Sequence, residues 1–364
     1  MRVILSGGGT AGHINPALAI AEAVVQNEKD SEILFIGTKR GLESSLVPKK
    51  KFDIRYINVQ GLQRSFSLKN IATAIKYMTS ISLSKKIIRE FKPDIVIGTG
   101  GYVCAPVVSA ANSMKIPTLI HEQNVFPGSA IKMLAKKSTV TAISFAESTR
   151  YLSDAKEILI SGNPLRKEII NSDREAARDT LGLGNDKLIV IFGGSLGARA
   201  INDVACEYIE KYGNEEGVRI CIATGVHGYE RVAARIRAEK YPNVEIREYI
   251  YNMDVMLSAA DLVVCRSGAI TVSEICALGV PSVLVPSPNV THNHQEYNAR
   301  ALSDNGAAIT ILENEFNADA LKGAVDSILK DETAAEDMRK KARSMAKLNA
   351  SEIIYNKMRK IIDV

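Results

Sequence analysis

An α/β protein of two parallel-sheet domains is the fold class predicted by three features of the sequence. Apolar strand-like runs alternate with helical patterns from end to end, as βαβ crossovers require. Several runs, LIVIF at 188–192 and LVVC at 262–265 among them, are solidly apolar, as strands covered on both faces should be. Each half-chain also opens on a strand, a glycine-rich turn and a helix: VILSGGGTAGHINPALAIA at 3–21 and LIVIFGGSLGARAIN at 188–202. At 364 residues the chain exceeds what one hydrophobic core ordinarily supports, so two such domains facing each other across a cleft are expected.

In chain order, the first half should contribute strands at 2–6, 33–37, 54–59, 95–98, 117–121, 139–142 and 158–161. The second should contribute 188–192, 218–224, 244–248, 262–265, 282–285 and 307–311. Asn163-Pro164, in SGNPLRKE, disfavours continued regular structure and places the boundary there. The domains are then 1–163 and 164–340, and the basic helical tail 341–364 is expected to pack back on the first of them.

The bulk composition narrows the class. Hydrophobic residues make up 46% and charged residues 24%, the balance of a soluble globular protein. No apolar run approaches the ~18–20 residues of a transmembrane helix. Met1-Arg2-Val3 leads directly into a strand without a signal-peptide pattern, so a cytoplasmic protein is expected. Five scattered cysteines with no C-x-x-C read as buried thiols rather than disulfides or a zinc site. The net charge of +5 is unevenly spread. Residues 1–163 hold 21 basic and 12 acidic residues (+9), and 164–364 hold 25 and 29 (−4). A basic half suits nucleic acid, a phosphorylated substrate or a membrane surface.

A glycine turn between strand and helix can present backbone N–H groups and the positive helix end to a phosphate. Gly7–Gly12, Gly98–Gly101 and Gly193–Gly197 are three such candidates, and tight packing at the turn is the alternative for each. The first fits G-x-G-x-x-G, but a dinucleotide site also needs an acid at the end of the second strand, for the ribose. That strand, ILFIGTKRG at 33–41, ends in Thr38, Lys39 and Arg40, so NAD is disfavoured. A better acid is Glu274 in CRSGAITVSEICALGVPSVLVP (265–286), one turn into a helix whose N-terminus gathers Arg266, Ser267, Gly268 and Thr271. It is placed either to accept from both ribose hydroxyls or to lie as a surface glutamate on a capped helix. HEQNVFPGSA (121–130) and NVTHNHQEYNAR (289–300) set polar side chains at strand ends, suited to a hydroxyl-rich ligand such as a sugar or to an ordinary polar loop. There is no D-x-D and no H-E-x-x-H, so no metal or other cofactor is expected, and a leaving diphosphate would have to be met by helix ends, Ser195 and Arg166.

Taken together, these stretches resemble the bacterial MurG family, which transfers GlcNAc to undecaprenyl-diphospho-muramoyl-pentapeptide, converting lipid I to lipid II. The matching residues are GGGTAGHINPALAIA (7–21), GTGGYVCAPV (98–107), HEQNVFPG (121–128), GNPLR (162–166), GGSLGARAIN (193–202), EYI (248–250), the 265–286 stretch and HQEYNARAL (294–302). The resemblance implies a GT-B fold of two Rossmann-like domains, with UDP-GlcNAc held mainly by the second. It implies that the Ile250 backbone meets the uracil, Glu274 the ribose, and Ser195 and Arg166 the diphosphate. Ala269–Glu274, with Ile270 and Thr271 among them, would line the nucleotide helix, Gln295 and Asn124 would hold the sugar, and Thr10, Ala11 and Gly12 would close on the donor from the first domain. Two positions depart from the family pattern: Ala11 replaces a glycine of GGTGGH, and His294 stands where some members have glutamine. If position 11 needed φ > 0, its methyl would cost roughly 1 kcal/mol.

The implied reaction is an inverting displacement that needs a base for the acceptor hydroxyl and no covalent nucleophile. A positioned base contributes about 10²–10⁴-fold, and His13, closing the first glycine loop, is the candidate as base or phosphate-side electrophile, with Glu122 as the alternative base. The lipid-borne acceptor requires contact with an anionic bilayer. In KNIATAIKYMTSISLSKKIIREFK (69–92), Ile71, Ile75, Met78 and Ile81 recur at helical spacing beside Lys69, Lys76, Lys85, Lys86 and Arg89, and IKMLAKK (131–137) adds a second apolar-basic piece. The expected location is the cytoplasmic side of the membrane, peripherally bound, with no nucleic-acid partner. Competing readings are a UDP-GlcNAc 2-epimerase, a diglyceride glycosyltransferase and a non-catalytic nucleotide-binding module.

Overall fold

The computed structural model describes residues 1–60, 69–194, 196–237 and 239–363, with 69–72 and 74 by backbone alone. The chain divides into two units, Met1–Leu165 with Lys347–Val364, and Arg166–Ala346. Among the described residues the first unit carries β1 (Arg2–Ser6), β2 (Glu32–Gly37), β3 (Asp53–Tyr56), β4 (Ile95–Gly98), β5 (Thr118–Glu122), β6 (Val140–Ile143) and β7 (Ile158–Ile160). They form one parallel sheet in the order β3-β2-β1-β4-β5-β6-β7. The second unit carries β8 (Lys187–Phe192), β9 (Val218–Ala223), β10 (Val244–Arg247), β11 (Leu262–Cys265), β12 (Ser282–Leu284) and β13 (Ile309–Thr310). These are also parallel, in the order β10-β9-β8-β11-β12-β13.

The solidly apolar strands have the expected cause. In the first sheet, Val3, Leu5, Phe35, Ile95 and Ile97 pack on one face against Ile14, Ile20 and Val24 of the helix Ala11–Asn27. Ile4, Ile36, Val96 and Ile120 pack on the other, against Val103, Val107 and Val108 of the helix Gly101–Ser113. Successive strand residues alternate between the two cores, so both must be apolar. Two strands fall short of the expected length by more than one residue. β3 stops at Tyr56, although Ile57 still donates to the Gly37 carbonyl, and edge strand β13 is reduced to two residues paired on one side.

The C-terminal stretch is two helices rather than one. Glu332–Met345 ends where Ala346 turns extended, and Ala350–Ile362 then lies on the helix Ala11–Asn27, burying Ile354 and Met358. Tyr355 donates to Glu28 at 2.9 Å across that contact. Residues 341–346 thus stay with the second unit, and 347–364 join the first. In each sheet the strand order reverses direction, between β1 and β4 and between β8 and β11. Open α/β sheets bind ligands outside the strand ends at such a point.

Candidate active site

In the second unit the switch point is bordered by the glycine turn after β8 and the turn Arg266-Ser267-Gly268 after β11. A pocket of about 470 Å³ opens there, lined by Gly193, Gly194, Gly268, Thr271, Gln295 and Arg266 among others. Gly268 caps the helix Ala269–Leu278, which directs its N-terminal N–H groups to this side. Ser195 falls outside the described residues. The helix His294–Ser303 is bolted to the same turn. Ser267 donates to the Gln295 carbonyl at 2.8 Å, Asn298 donates to the Ser267 carbonyl at 3.1 Å, and Gln295 Oε1 accepts from the Ser287 N–H at 2.9 Å.

Glu274 lies one turn along the Ala269–Leu278 helix and is buried. Its Oε1 pairs with Arg166 Nη2 at 3.1 Å, so the two residues expected to meet ribose and diphosphate meet each other. Burial pushes the Glu274 carboxyl above the usual carboxylate range, and Arg166 opposes that rise. Ala269, at the start of that helix, is buried, and Ile270 and Thr271 are half-buried. Ile250 follows β10 and is itself buried. Among the described residues its peptide N–H and C=O make no hydrogen bond, so a backbone donor and acceptor are unused there.

Arg266 departs from expectation. Its Nη1 donates to the carbonyls of Val285 and Pro286 at 3.1 and 3.2 Å, and Nη2 pairs with Glu313. The guanidinium therefore braces the turn after β12 rather than offering itself to a ligand. Glu313, which also lines the pocket, carries no signal in the sequence: it sits 47 residues from its partner.

In the first unit, Gly7–Thr10 turn the chain from β1 into the helix that starts at Ala11. Ala11 and Gly12 already hold helical backbone, so position 11 demands no positive φ and the alanine methyl is unstrained. His13 is half-buried, its Nδ1 3.1 Å from both the Gly8 carbonyl and the Thr10 hydroxyl. Gly100 (φ +103°) lies against the imidazole, where a Cβ would come within 2.7 Å of the ring.

The HEQN stretch is corrected most. His121, Glu122 and Gln123 face the interior, not a ligand. His121 Nε2 is 3.0 Å from the Gly162 carbonyl, and burial lowers its pKa to about 4, so the ring is neutral. Gln123 Nε2 donates to the Thr99 carbonyl at 2.9 Å, and Thr99 Oγ1 donates to the His13 carbonyl at 2.7 Å. Both Glu122 oxygens are engaged, one by the Asn124 N–H and Nδ2 and the other by the Gly128 N–H. A carboxylate so occupied holds its own loop and is poorly placed as a base. Asn124 stays half-buried at the edge of this network.

The glycosyltransferase family 28 N-terminal domain model matches residues 3–143, and the family 28 C-terminal domain model matches 188–354. A relative from Acetivibrio thermocellus is 48% identical over 363 residues, covering 100% of this chain and 98% of its own. It is named UDP-N-acetylglucosamine--N-acetylmuramyl-(pentapeptide) pyrophosphoryl-undecaprenol N-acetylglucosamine transferase. The crystal structure of Acinetobacter baumannii MurG superposes with a TM-score of 0.80 at 29% identity, covering 99% of each chain. A Neisseria meningitidis UDP-GlcNAc 2-epimerase bound to UDP-GlcNAc gives a TM-score of 0.69 at 16% identity, covering 99% of this chain and 100% of its own, a likeness of fold alone. The chain belongs to the MurG family of glycosyltransferase family 28.

Proposed function

We propose that this protein transfers GlcNAc from UDP-GlcNAc, with inversion, to the muramoyl 4-hydroxyl of undecaprenyl-diphospho-MurNAc-pentapeptide. The observation that carries the reading is the pocket of the second unit, built from a glycine turn and a helix N-terminus, in a chain similar over its full length to transferases of that name; the buried acid Glu274 lies one turn further along that helix, behind the lining. Uracil is read by the Ile250 peptide, which makes no other hydrogen bond among the described residues, and the ribose by Glu274. The diphosphate is met by Arg166, Ser195 and the N-terminus of the Ala269–Leu278 helix with Ile270 and Thr271. Gln295 and Asn124 are assigned to the sugar, and Thr10, Ala11 and Gly12 to contact with the donor. Departing UDP carries charge that these fixed dipoles and the arginine stabilise.

His13 accepts the proton of the acceptor hydroxyl. Turnover of His13→Ala and His13→Gln at saturating substrates checks this: a fall of about 10²-fold or more is expected, and wild-type turnover would refute it.

The acceptor's lipid places the protein at an anionic membrane surface, on the cytoplasmic side. Among the described residues no helix is long and apolar enough to cross a membrane. Ile75 and Met78 on the helix Lys69–Phe91 are 60% and 63% exposed, with Lys76, Lys85 and Lys86 on the same helix. Met133, on the helix Ser129–Ala135, is exposed near Lys132 and Lys136. Such a mixture of apolar and basic side chains suits a headgroup layer. Ile81 packs on the core instead, and the side chains of Lys69 and Ile71 lie outside the described residues. Labelled UDP-GlcNAc with a lipid I analogue tests the whole reading. Label in the lipid product supports it. Label in an epimerised nucleotide sugar, or UDP-GlcNAc bound without turnover, refutes it.

A further inference from the structure

We propose that Glu43 is the positioning residue of His13, acting through the peptide bond between Gly8 and Gly9. The inference rests on the role just given to His13 and adds the group that holds it ready.

Glu43 opens the short helix Glu43–Lys49 after β2 and is 1% exposed. A carboxylate so buried persists only where donors satisfy it. Its Oε1 accepts from the Thr38 N–H at 2.9 Å and the Thr38 hydroxyl at 2.7 Å, and its Oε2 accepts from the Gly9 N–H at 3.2 Å. Three glycines make the room. A Cβ at Gly8, Gly37 or Gly41 would fall 2.9, 2.6 or 2.1 Å from the Glu43 side chain. In a dinucleotide-binding turn the glycine N–H groups wait for an external phosphate. Here an anion of the protein itself takes the Gly9 N–H.

The consequence appears on the other side of the same peptide. In a trans peptide the N–H and C=O point in opposite directions, so anchoring the Gly9 N–H aims the Gly8 carbonyl. That carbonyl is 3.1 Å from His13 Nδ1. A carbonyl oxygen can only accept, so Nδ1 carries the proton and the lone pair belongs to Nε2. The Thr10 hydroxyl, also 3.1 Å from Nδ1, can turn to suit either state. Gly101 keeps the carbonyl's place clear, since a Cβ there would lie 2.2 Å from the Gly8 oxygen. The peptide itself is flanked by two glycines and leads into φ +88° at Gly9, so the backbone alone resists a flip weakly. Glu43 supplies what the local chain lacks. Through one peptide unit it does what a carboxylate does directly in an aspartate–histidine pair, fixing the tautomer and the aim of the ring.

The test is ¹⁵N–¹H correlation NMR on the intact protein labelled at histidine, above the imidazole titration. His13 is assigned by the signals lost in His13→Gln. Wild type should show His13 protonated at Nδ1. In Glu43→Gln the new amide faces the Gly9 N–H, the peptide loses its anchor, and the Nε2–H form should appear. Turnover should fall about 10–100-fold, by analogy with the loss on removing the outer partner that orients a metal-bound histidine, with KM for UDP-GlcNAc within about twofold. An Nε2–H tautomer in the wild-type protein overturns the inference without recourse to any variant. So does a Glu43→Gln protein with unchanged tautomer, even if its Tm falls, because a purely structural carboxylate would do only that. Wild-type turnover in His13→Ala would instead overturn the role of His13 on which the inference rests, and the tautomer measurement keeps the two failures apart.

Discussion

Replacing Glu274 with glutamine should weaken nucleotide binding without weakening the fold. In the unliganded protein only Oε1 is engaged, by Arg166 at 3.1 Å, and Oε2 makes no hydrogen bond among the described residues. A ribose hydroxyl donating to an ionised carboxylate contributes about 1.5–3 kcal/mol. Losing one such bond corresponds to a rise in Kd of roughly 10–150-fold. The stability effect runs the other way. Burial raises the Glu274 carboxyl above its usual range in the folded protein, so between the unfolded and folded pKa values the native state binds more protons than the unfolded chain. Stability then falls as pH rises through that window, and at neutral pH the desolvated carboxylate is a net cost. A neutral amide removes that cost, and the Arg166 side chain, 44% exposed, can rehydrate. Calorimetric titration with UDP and a thermal melt of the unliganded protein should therefore show weaker binding at an unchanged or higher Tm. UDP affinity within about twofold of wild type would refute the ribose assignment, and a lowered Tm would refute the desolvation argument.

Other elements give sharp expectations. Ile354→Ala removes a fully buried side chain from the C-terminal helix and should cost about 2–5 kcal/mol in denaturant unfolding; a cost below about 1 kcal/mol would mean the helix is not part of that core. Asp261 is buried and receives Arg174 at 2.8 Å, Arg178 at 3.0 Å and the Leu188 N–H at 2.9 Å. Because Asp261→Asn strands those cations, it should destabilise by about 3 kcal/mol in the same assay, near the low end for a broken buried pair since the arginines keep some solvent. Reversing Lys76, Lys85 and Lys86 to glutamate removes about 1 kcal/mol of attraction per site from an anionic surface. Sedimentation with anionic vesicles should show at least 100-fold weaker binding while activity on a soluble acceptor analogue is kept; unchanged sedimentation would remove this face from the membrane account.

The fold was legible because its strands announce themselves. IVIG at β4 and KLIVIF at β8 are buried on both faces, and a continuous apolar run bounded by glycine has few other structures open to it. The glycine turns were legible for the same local reason. What sequence order conceals is which way a polar side chain at a strand end will face. Gln123 turned inward because Thr99, 24 residues away, presents a carbonyl, and His121 did so because Gly162, 41 residues away, presents another. Arg266 found Glu313 and Glu43 found Gly9 by tertiary approach alone. Ala11 was the opposite case: a departure that looked strained in sequence proves harmless once the helix is seen to begin there.

The proposed reaction is a displacement at the anomeric carbon of the sugar, carried out on a lipid-linked muramoyl acceptor. The most direct measurement is proton NMR of the disaccharide released from a reaction of the wild-type protein with UDP-GlcNAc and a lipid I analogue. An anomeric proton with the large diaxial coupling of a β-1,4 linkage is predicted. An α linkage, a change of configuration at the sugar's second carbon, or an acceptor recovered unmodified would contradict it.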